Sequence, residues 1–322
     1  MNTYRSLADV PADFGPSALT IGNFDGVHYG HRHILKRVVA VARQRGWKPS
    51  VLTFDPHPTC VVAPERAPRL LTTPERRVAL MSEEGIEQVL ILPFTPEVAR
   101  WTPEEFVRQL VVARLQARAV LVGENFRFGN RQSGDVAVLA ELGRTLGFET
   151  EAIPAVSRRG RMVSSSVIRE AIMAGRVALA ARLLRHPYGV EGEVVKGHGV
   201  GARQTVPTLN LSTQAAVIPS RGVYITRTAD LDVAREWNSI TNVGYRPTFG
   251  ATDELSIETF LLDPLEGQPP RRIRVEFLCR VRDERQFESP EALKTQILKD
   301  VRVARAYFRR VKAWRGRPVT RA

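Results

Sequence analysis

The stretch IGNFDGVHYGHRHIL, residues 21–35, brings together Gly22, Gly26 and Gly30, one aspartate, Asp25, and three of the chain's six histidines, His28, His31 and His33. Gly22 and Gly26 let backbone approach a ligand closely. A helix beginning near Gly30 or His31 would turn its unpaired N–H groups, and the positive end of its dipole, toward an anion. His28 and His31 can donate hydrogen bonds to phosphate oxygens from the same mouth. The pattern therefore describes a phosphate-handling site. Zinc held by His28, His31 and His33 is the competing chemistry. No cysteine or carboxylate follows at ligand spacing, and glycine-rich surroundings suit a nucleotide better than a tetrahedral cage.

The elements that must hold this stretch are legible on either side of it. Short apolar runs at 18–22, 50–55, 88–94 and 119–124 read as buried parallel strands. Helical patterns at 30–44, 74–84, 103–113 and 135–146 fall between and after them, and a further strand is expected at 148–153. TPEE at 102–105 supplies a Thr cap, a Pro at the first helical position and a Glu three residues after the cap. Such alternation predicts a parallel sheet with right-handed crossovers. The glycine and histidine stretch then lies just beyond the carboxyl end of a strand, where open α/β sheets bind ligands. Two short helices split at Gly175 follow. From about 188 to 288 the chain becomes glycine-punctuated and β-prone, which predicts a small antiparallel barrel. A long final helix is expected, with Ser289 at its cap and Pro290 at its first position. The expected domains are 1–186 and 187–322.

With 322 residues, 43% of them hydrophobic and 25% charged, the chain can build two sizeable cores. No apolar run reaches the roughly 18 to 20 residues that span a bilayer, and the first fifteen residues lack the apolar core of a leader, so the expected compartment is the cytoplasm. Cys60 and Cys279 match neither a disulfide framework nor a CxxC metal site. The net charge of +13 raises the question of nucleic acid. The basic residues are scattered arginines, however, with no aromatic RNA-binding motif or zinc finger, so no nucleic acid is expected; small phosphorylated substrates would use the same positive field.

GNFDGVHYGH resembles the nucleotidyltransferase signature of the bacterial bifunctional riboflavin kinase/FMN adenylyltransferases, the FAD synthetases. TFDPHP (53–58), VGENFRFGNRQSGD (122–135), VSSSVIREAI (163–172), NVGYRPTF (242–249) and IETFLLD (257–263) resemble further stretches of that family in the same order, so the similarity covers nearly the whole chain. The resemblance implies an N-terminal Rossmann-like nucleotidyltransferase domain that adenylylates FMN to FAD, and a C-terminal barrel with a final helix that phosphorylates riboflavin to FMN. It implies that His28 and His31 hold the ATP phosphates, with Gly22, Asn23, Asp25 and Gly26 shaping the loop and Asn125 and Arg127 facing the same cleft. Ser164, Ser165 and Arg169 match a second phosphate motif, although the serines could simply cap the helix that follows. His57 and Pro58 either line the flavin site or turn the chain.

In the second domain, KGHGVGARQTVPTLNL (196–211) resembles the kinase loop. Gly197, Gly199 and Gly201 would approach ATP phosphates, and Thr208 and Asn210 would hold magnesium as oxygen ligands. Glu258 matches the family's general base and Arg246 belongs to its flavin site. The chain departs from the usual pattern at Ala202, Thr205 and Phe260. The expected substrates are riboflavin, FMN and ATP. The alternatives are an adenylyltransferase whose second domain only binds flavin, and, in another class, a non-catalytic flavin or nucleic-acid binding protein.

Overall fold

The computed structural model describes residues 1–158, 160–195, 208–246 and 254–315. They form two compact units, Met1–Val167 and Ile168–Ala322.

The first unit is built on a six-stranded parallel sheet: β1 Asn2–Tyr4, β2 Ser17–Ile21, β3 Lys48–Asp55, β4 Gln88–Pro93, β5 Ala117–Gly123 and β6 Glu149–Ile153, in the spatial order β1-β4-β3-β2-β5-β6. The four apolar runs and the 148–153 segment read from sequence are five of these strands. The sixth, β1, pairs Asn2 to Tyr4 with Gln88 to Leu90 at the edge and is too short to leave a periodic signal. All five residues of β2 are buried, as a strand covered on both faces must be. One face carries Val51, Val89 and Leu121 against Leu35 and Val38 of α1 (Tyr29–Arg45) and Leu80 and Met81; the other carries Leu52, Leu90 and Val120 against Phe106, Leu110 and Leu139.

Short helices α2 (Pro58–Val62), α3 (Pro74–Glu83) and α4 (Pro96–Arg100) each begin at a proline, whose missing N–H costs nothing at a helix start. The capping box expected at TPEE is present: Thr102 and Glu105 satisfy one another's backbone N–H groups at the head of α5 (Pro103–Glu105). The helix does not continue as an α-helix through 113. Residues Phe106–Arg114 shift to π geometry, ending on a Leu115 N–H to Leu110 carbonyl bond. Asp135 caps α6 (Val136–Leu146), accepting from the Val138 N–H. A two-residue ladder, β7 (Ser157–Arg158) with β8 (Arg161–Met162), precedes α7 (Ser165–Met173).

In the second unit, α8 (Val177–Leu184) leads into six antiparallel strands, β9 Tyr188–Val195, β10 Thr208–Ser212, β11 Gly222–Asp230, β12 Glu236–Arg246, β13 Glu254–Leu261 and β14 Arg272–Arg282. They close as a barrel in the order β10-β13-β12-β11-β14-β9. Its interior holds Tyr224, Phe277, Ile273 and Val275, all fully buried, together with five buried hydroxyls. Thr228, Ser239, Thr226, Thr241 and Thr259 are joined in that order by hydrogen bonds of 2.8 to 3.0 Å. The last helix, α9 (Pro290–Arg315), starts from Ser289, whose hydroxyl accepts the Ala292 N–H, and covers the outer face of the barrel through Ala304, Tyr307 and Phe308.

Candidate functional site

The chain leaves β2 and β5 on either side of the point where the strand order reverses, and the loops after these two strands carry the residues singled out by chemistry. After β2, Phe24, Gly26 and Val27 adopt positive φ of 50°, 80° and 39°, a tight turn that Gly26 accepts without strain. Asp25 holds this turn. Its buried carboxylate accepts the N–H groups of Leu71 and Thr72 at 2.9 to 3.1 Å and the Thr72 hydroxyl at 3.2 Å, while the Gly26 N–H donates to that hydroxyl at 3.0 Å. Asp25 thus binds the loop to a segment 46 residues away.

The helix begins one residue earlier than the sequence suggests, because His28 is itself its cap. His28 Nδ1 accepts the His31 N–H at 3.3 Å, so in the neutral ring the proton sits on Nε2. The two imidazoles stack 3.6 Å apart, 14° from parallel, and Phe24 meets the other side of His31 edge-on. Gly30 makes room, since a Cβ there would lie 3.2 Å from His28 Cε1. His31 Nδ1 is buried without a hydrogen-bond partner. Burial first, then the His28 ring, then Arg77 hold its pKa well below the ordinary histidine value, which favours the neutral ring. His33 lies exposed on another side of α1 and does not join them.

Arg77 carried no motif signal. It sits on the buried face of α3 beside Leu80 and Met81, its guanidinium donating to the Thr53 hydroxyl at 3.2 Å. Burial lowers its pKa, while Asp25, Asp55 and Glu75 favour its charge. A cation at a core position of an amphipathic helix was the available clue.

A cleft of about 750 Å³ opens beside this motif, lined by Gly22, Asn23, Pro58, Asn125 and Arg127 with the rings of Phe54, Phe94 and Phe126. The Asn23 amide reaches His57 Nε2 at 2.9 Å, and His57 Nδ1 caps α2 by accepting the Thr59 N–H. His57 therefore fixes the cleft wall. Ser164 caps α7 through the Val167 N–H, and Ser165 donates to the Asp25 carbonyl at 3.0 Å, so the serine run fastens α7 to the motif loop. Arg169 is one turn further along α7.

On the barrel, the register places Asn210, Glu258 and Asn242 opposite one another on adjacent strands β10, β13 and β12. Thr208 is two residues from Asn210 and so shares its face. Ser256 donates to Glu258 Oε1 at 3.0 Å. Phe260, at the departure from the family pattern, packs with Tyr307 and Phe308 of α9. Gly197, Gly199, Gly201, Ala202 and Thr205 lie outside the described residues, as does the side chain of Arg246. No group of three or more His, Cys, Asp or Glu suited to a metal occurs among the described residues.

A parallel α/β unit with a histidine-capped helix at its switch point, followed by a closed barrel bearing a carboxylate between two amides, defines a two-domain nucleotide-using transferase. The FAD synthetase family model matches residues 10–167 and the riboflavin kinase family model residues 184–308. Among curated relatives, the bifunctional riboflavin kinase/FMN adenylyltransferase of Pseudomonas fluorescens is 36% identical over 95% of this chain and 97% of its own, and that of Escherichia coli K12 is 34% identical over 90% and 92%. A solved structure described as a macrolide-efflux protein from Streptococcus pneumoniae superposes with a TM-score of 0.84 at 26% identity, covering 94% of this chain and 98% of its own. The chain belongs to the bifunctional riboflavin kinase/FMN adenylyltransferase family.

Proposed function

We propose that this chain makes FAD in two ATP-dependent steps, phosphorylating riboflavin to FMN in the segment 187–322 and adenylylating FMN in the segment 1–186. The observation that carries the reading is the pairing of His28 and His31 at the switch point, beside a cleft with an aromatic wall. In adenylyl transfer the FMN phosphate is already an anionic nucleophile. It attacks the α-phosphorus of ATP and pyrophosphate leaves, so the protein supplies position and charge stabilisation rather than a base. His31, neutral, and His28, with its proton on Nε2, donate toward the phosphates at the head of α1, whose dipole adds to the field. Gly22, Asn23, Asn125 and Arg127 frame the nucleotide, Asp25 and Gly26 set the loop, and Ser164, Ser165 and Arg169 form the second phosphate grip. The flavin ring takes the Phe54, Phe94 and Phe126 side of the cleft, near His57 and Pro58.

Riboflavin phosphorylation begins from a hydroxyl, which unlike a phosphate needs a base. Glu258 takes that proton as the hydroxyl attacks the γ-phosphorus of ATP and ADP leaves. Thr208 and Asn210 offer hard oxygen donors on one face, a set that suits Mg²⁺. Bound there, the ion would offset phosphate charge. Arg246, Gly197, Gly199 and Gly201 complete the flavin and nucleotide contacts on this reading. We place both reactions in the cytoplasm, where ATP is supplied; no helix among the described residues is long and apolar enough to cross a membrane. The test is a chromatographic time course with ATP and magnesium, starting from riboflavin or from FMN. FAD from both is the expected result. FAD from FMN alone would leave the barrel a flavin-binding domain without kinase activity.

A further inference from the structure

We propose that Arg77 is a positioning residue of the adenylyl-transfer site: held on Thr53, its buried guanidinium offsets the carboxylate of Asp25 and fixes the Asn23 carbonyl, so that the motif loop can receive the phosphates of ATP. The inference rests on the adenylyl-transfer reading above and adds to it a residue that touches no substrate.

Arg77 is 2% exposed, on the inner face of α3. Its Nη1 donates to the Thr53 hydroxyl at 3.2 Å and to the Phe54 carbonyl at 3.4 Å, and its Nε is buried without a partner. It makes no direct ion pair among the described residues. A cation taken from water is costly unless opposite charge lies near. Burial disfavours the charged form of Arg77, while Asp25 first, then Asp55 and Glu75, favour it. The strongest of these three is the residue that holds the motif loop. A position needed only for packing would suit an apolar side chain, as Leu80 and Met81 show on the same helix.

Asp25 stands three residues before His28, in the loop that faces ATP on this reading. Its oxygens suit the loop, because they accept the N–H groups of Leu71 and Thr72 and the Thr72 hydroxyl. Its charge does not, because a buried carboxylate is poorly screened and repels phosphate. Arg77 supplies the opposite charge from the segment that Asp25 grips: α3 starts at Pro74, just past Thr72, and the Arg77 N–H closes its first turn on the Thr73 carbonyl at 3.0 Å. The Arg77 field reaches His31 as well, where it adds to burial and the His28 ring in disfavouring protonation.

The bond to Thr53 also orders the loop backbone. A guanidinium only donates, so the single proton of the Thr53 hydroxyl is left for the Asn23 carbonyl, 3.2 Å away. That carbonyl is thereby held on a buried strand position, Thr53 being 1% exposed, rather than left to oppose a phosphate in the cleft that Asn23 lines.

The experiment uses the full-length chain carrying Arg77→Met, Arg77→Lys, Asp25→Asn, or Arg77→Met with Asp25→Asn. It measures kcat and ATP KM for FAD formation from FMN, FMN formation from riboflavin, and urea midpoints. Arg77→Met should lower kcat/KM for ATP at least tenfold and leave FMN formation within twofold of the parent. Arg77→Lys, which keeps the charge, should stay within threefold of the parent. Asp25→Asn removes the charge and keeps an oxygen for Leu71 and Thr72; it should raise kcat/KM at least threefold in the Arg77→Met chain, which a purely structural strap would not show. A smaller fall in Arg77→Met, an equal loss of FMN formation, a lysine variant no better than the methionine one, or a paired variant no better than Arg77→Met overturns the proposal. Should Arg77→Met not fold, Thr53→Val decides: it frees both the guanidinium and the Asn23 carbonyl, so ATP KM should rise at least threefold, and a smaller change overturns the proposal. His31→Ala separates the two levels. If it leaves FAD formation intact, the adenylyl-transfer reading itself falls; if it stops FAD formation and Arg77→Met behaves as the parent, only this inference falls.

Discussion

His28 caps the helix on which His31 stands: the Nδ1 of one ring accepts the backbone N–H of the other residue at 3.3 Å while the rings stack at 3.6 Å. The same bond fixes the tautomer of the first histidine and the position of the second. His28→Ala therefore loses a cap worth about 1 kcal/mol as well as a donor. His28→Asn should restore the cap but not the donor. Urea unfolding, read beside FAD formation from FMN, should show stability recovered in the Asn variant and activity lost in both.

His31→Ala is expected to abolish FAD formation from FMN while leaving FMN formation from riboflavin within about twofold of the parent. Product chromatography with each flavin separately checks this. Equal loss of both activities would contradict the division of labour between the two units.

The sign of a pH effect follows from the lowered pKa of His31. The unfolded chain protonates this residue near pH 6.5, and the native one only at lower pH. Below about pH 6.5 the unfolded state binds more protons, so the stabilising contribution of a neutral His31 is present above that value and is lost as pH falls toward the native pKa. Urea midpoints should drop between pH 7 and 5, with a shallower slope in His31→Gln.

Asp25→Ala removes an acceptor of three buried hydrogen bonds and takes a counter-charge from Arg77. A loss of roughly 3 kcal/mol is expected. FAD formation should fall with it, since the loop is no longer tied to Leu71 and Thr72. Denaturation curves and the FMN-dependent assay measure the two effects.

Glu258→Gln should abolish FMN formation and spare FAD formation from added FMN. Side-by-side assays of the two steps on one protein preparation make the comparison.

Sequence alone locates the histidine pair because two imidazoles one turn apart, set among glycines after an apolar strand, have few other uses. It locates β2 to β5 for a similar reason: continuous Val, Ile and Leu runs are diagnostic of strands buried on both faces. It misses β1, whose three residues are too few to show a period. Arg77 escapes because its partners, Thr53 and Asp25, come from other segments. Asp25 is found as part of a motif, but its task depends on Leu71 and Thr72, which no local pattern joins to it.

The five hydroxyls inside the barrel form a line, Thr228 to Ser239 to Thr226 to Thr241 to Thr259. Five hydroxyls bring five protons to four bonds, so one member always gives its proton outside the line, and which member does so sets the direction of the bonds on either side of it. The line is therefore polarised toward whichever hydroxyl has its own proton turned away, and moving that role to a neighbour flips a single bond. Position along the line sets the effect of a substitution. Valine at Thr226 severs the line in its middle and leaves two separate pairs, Thr228 with Ser239 and Thr241 with Thr259, whereas valine at Thr228 or Thr259 only shortens it by one.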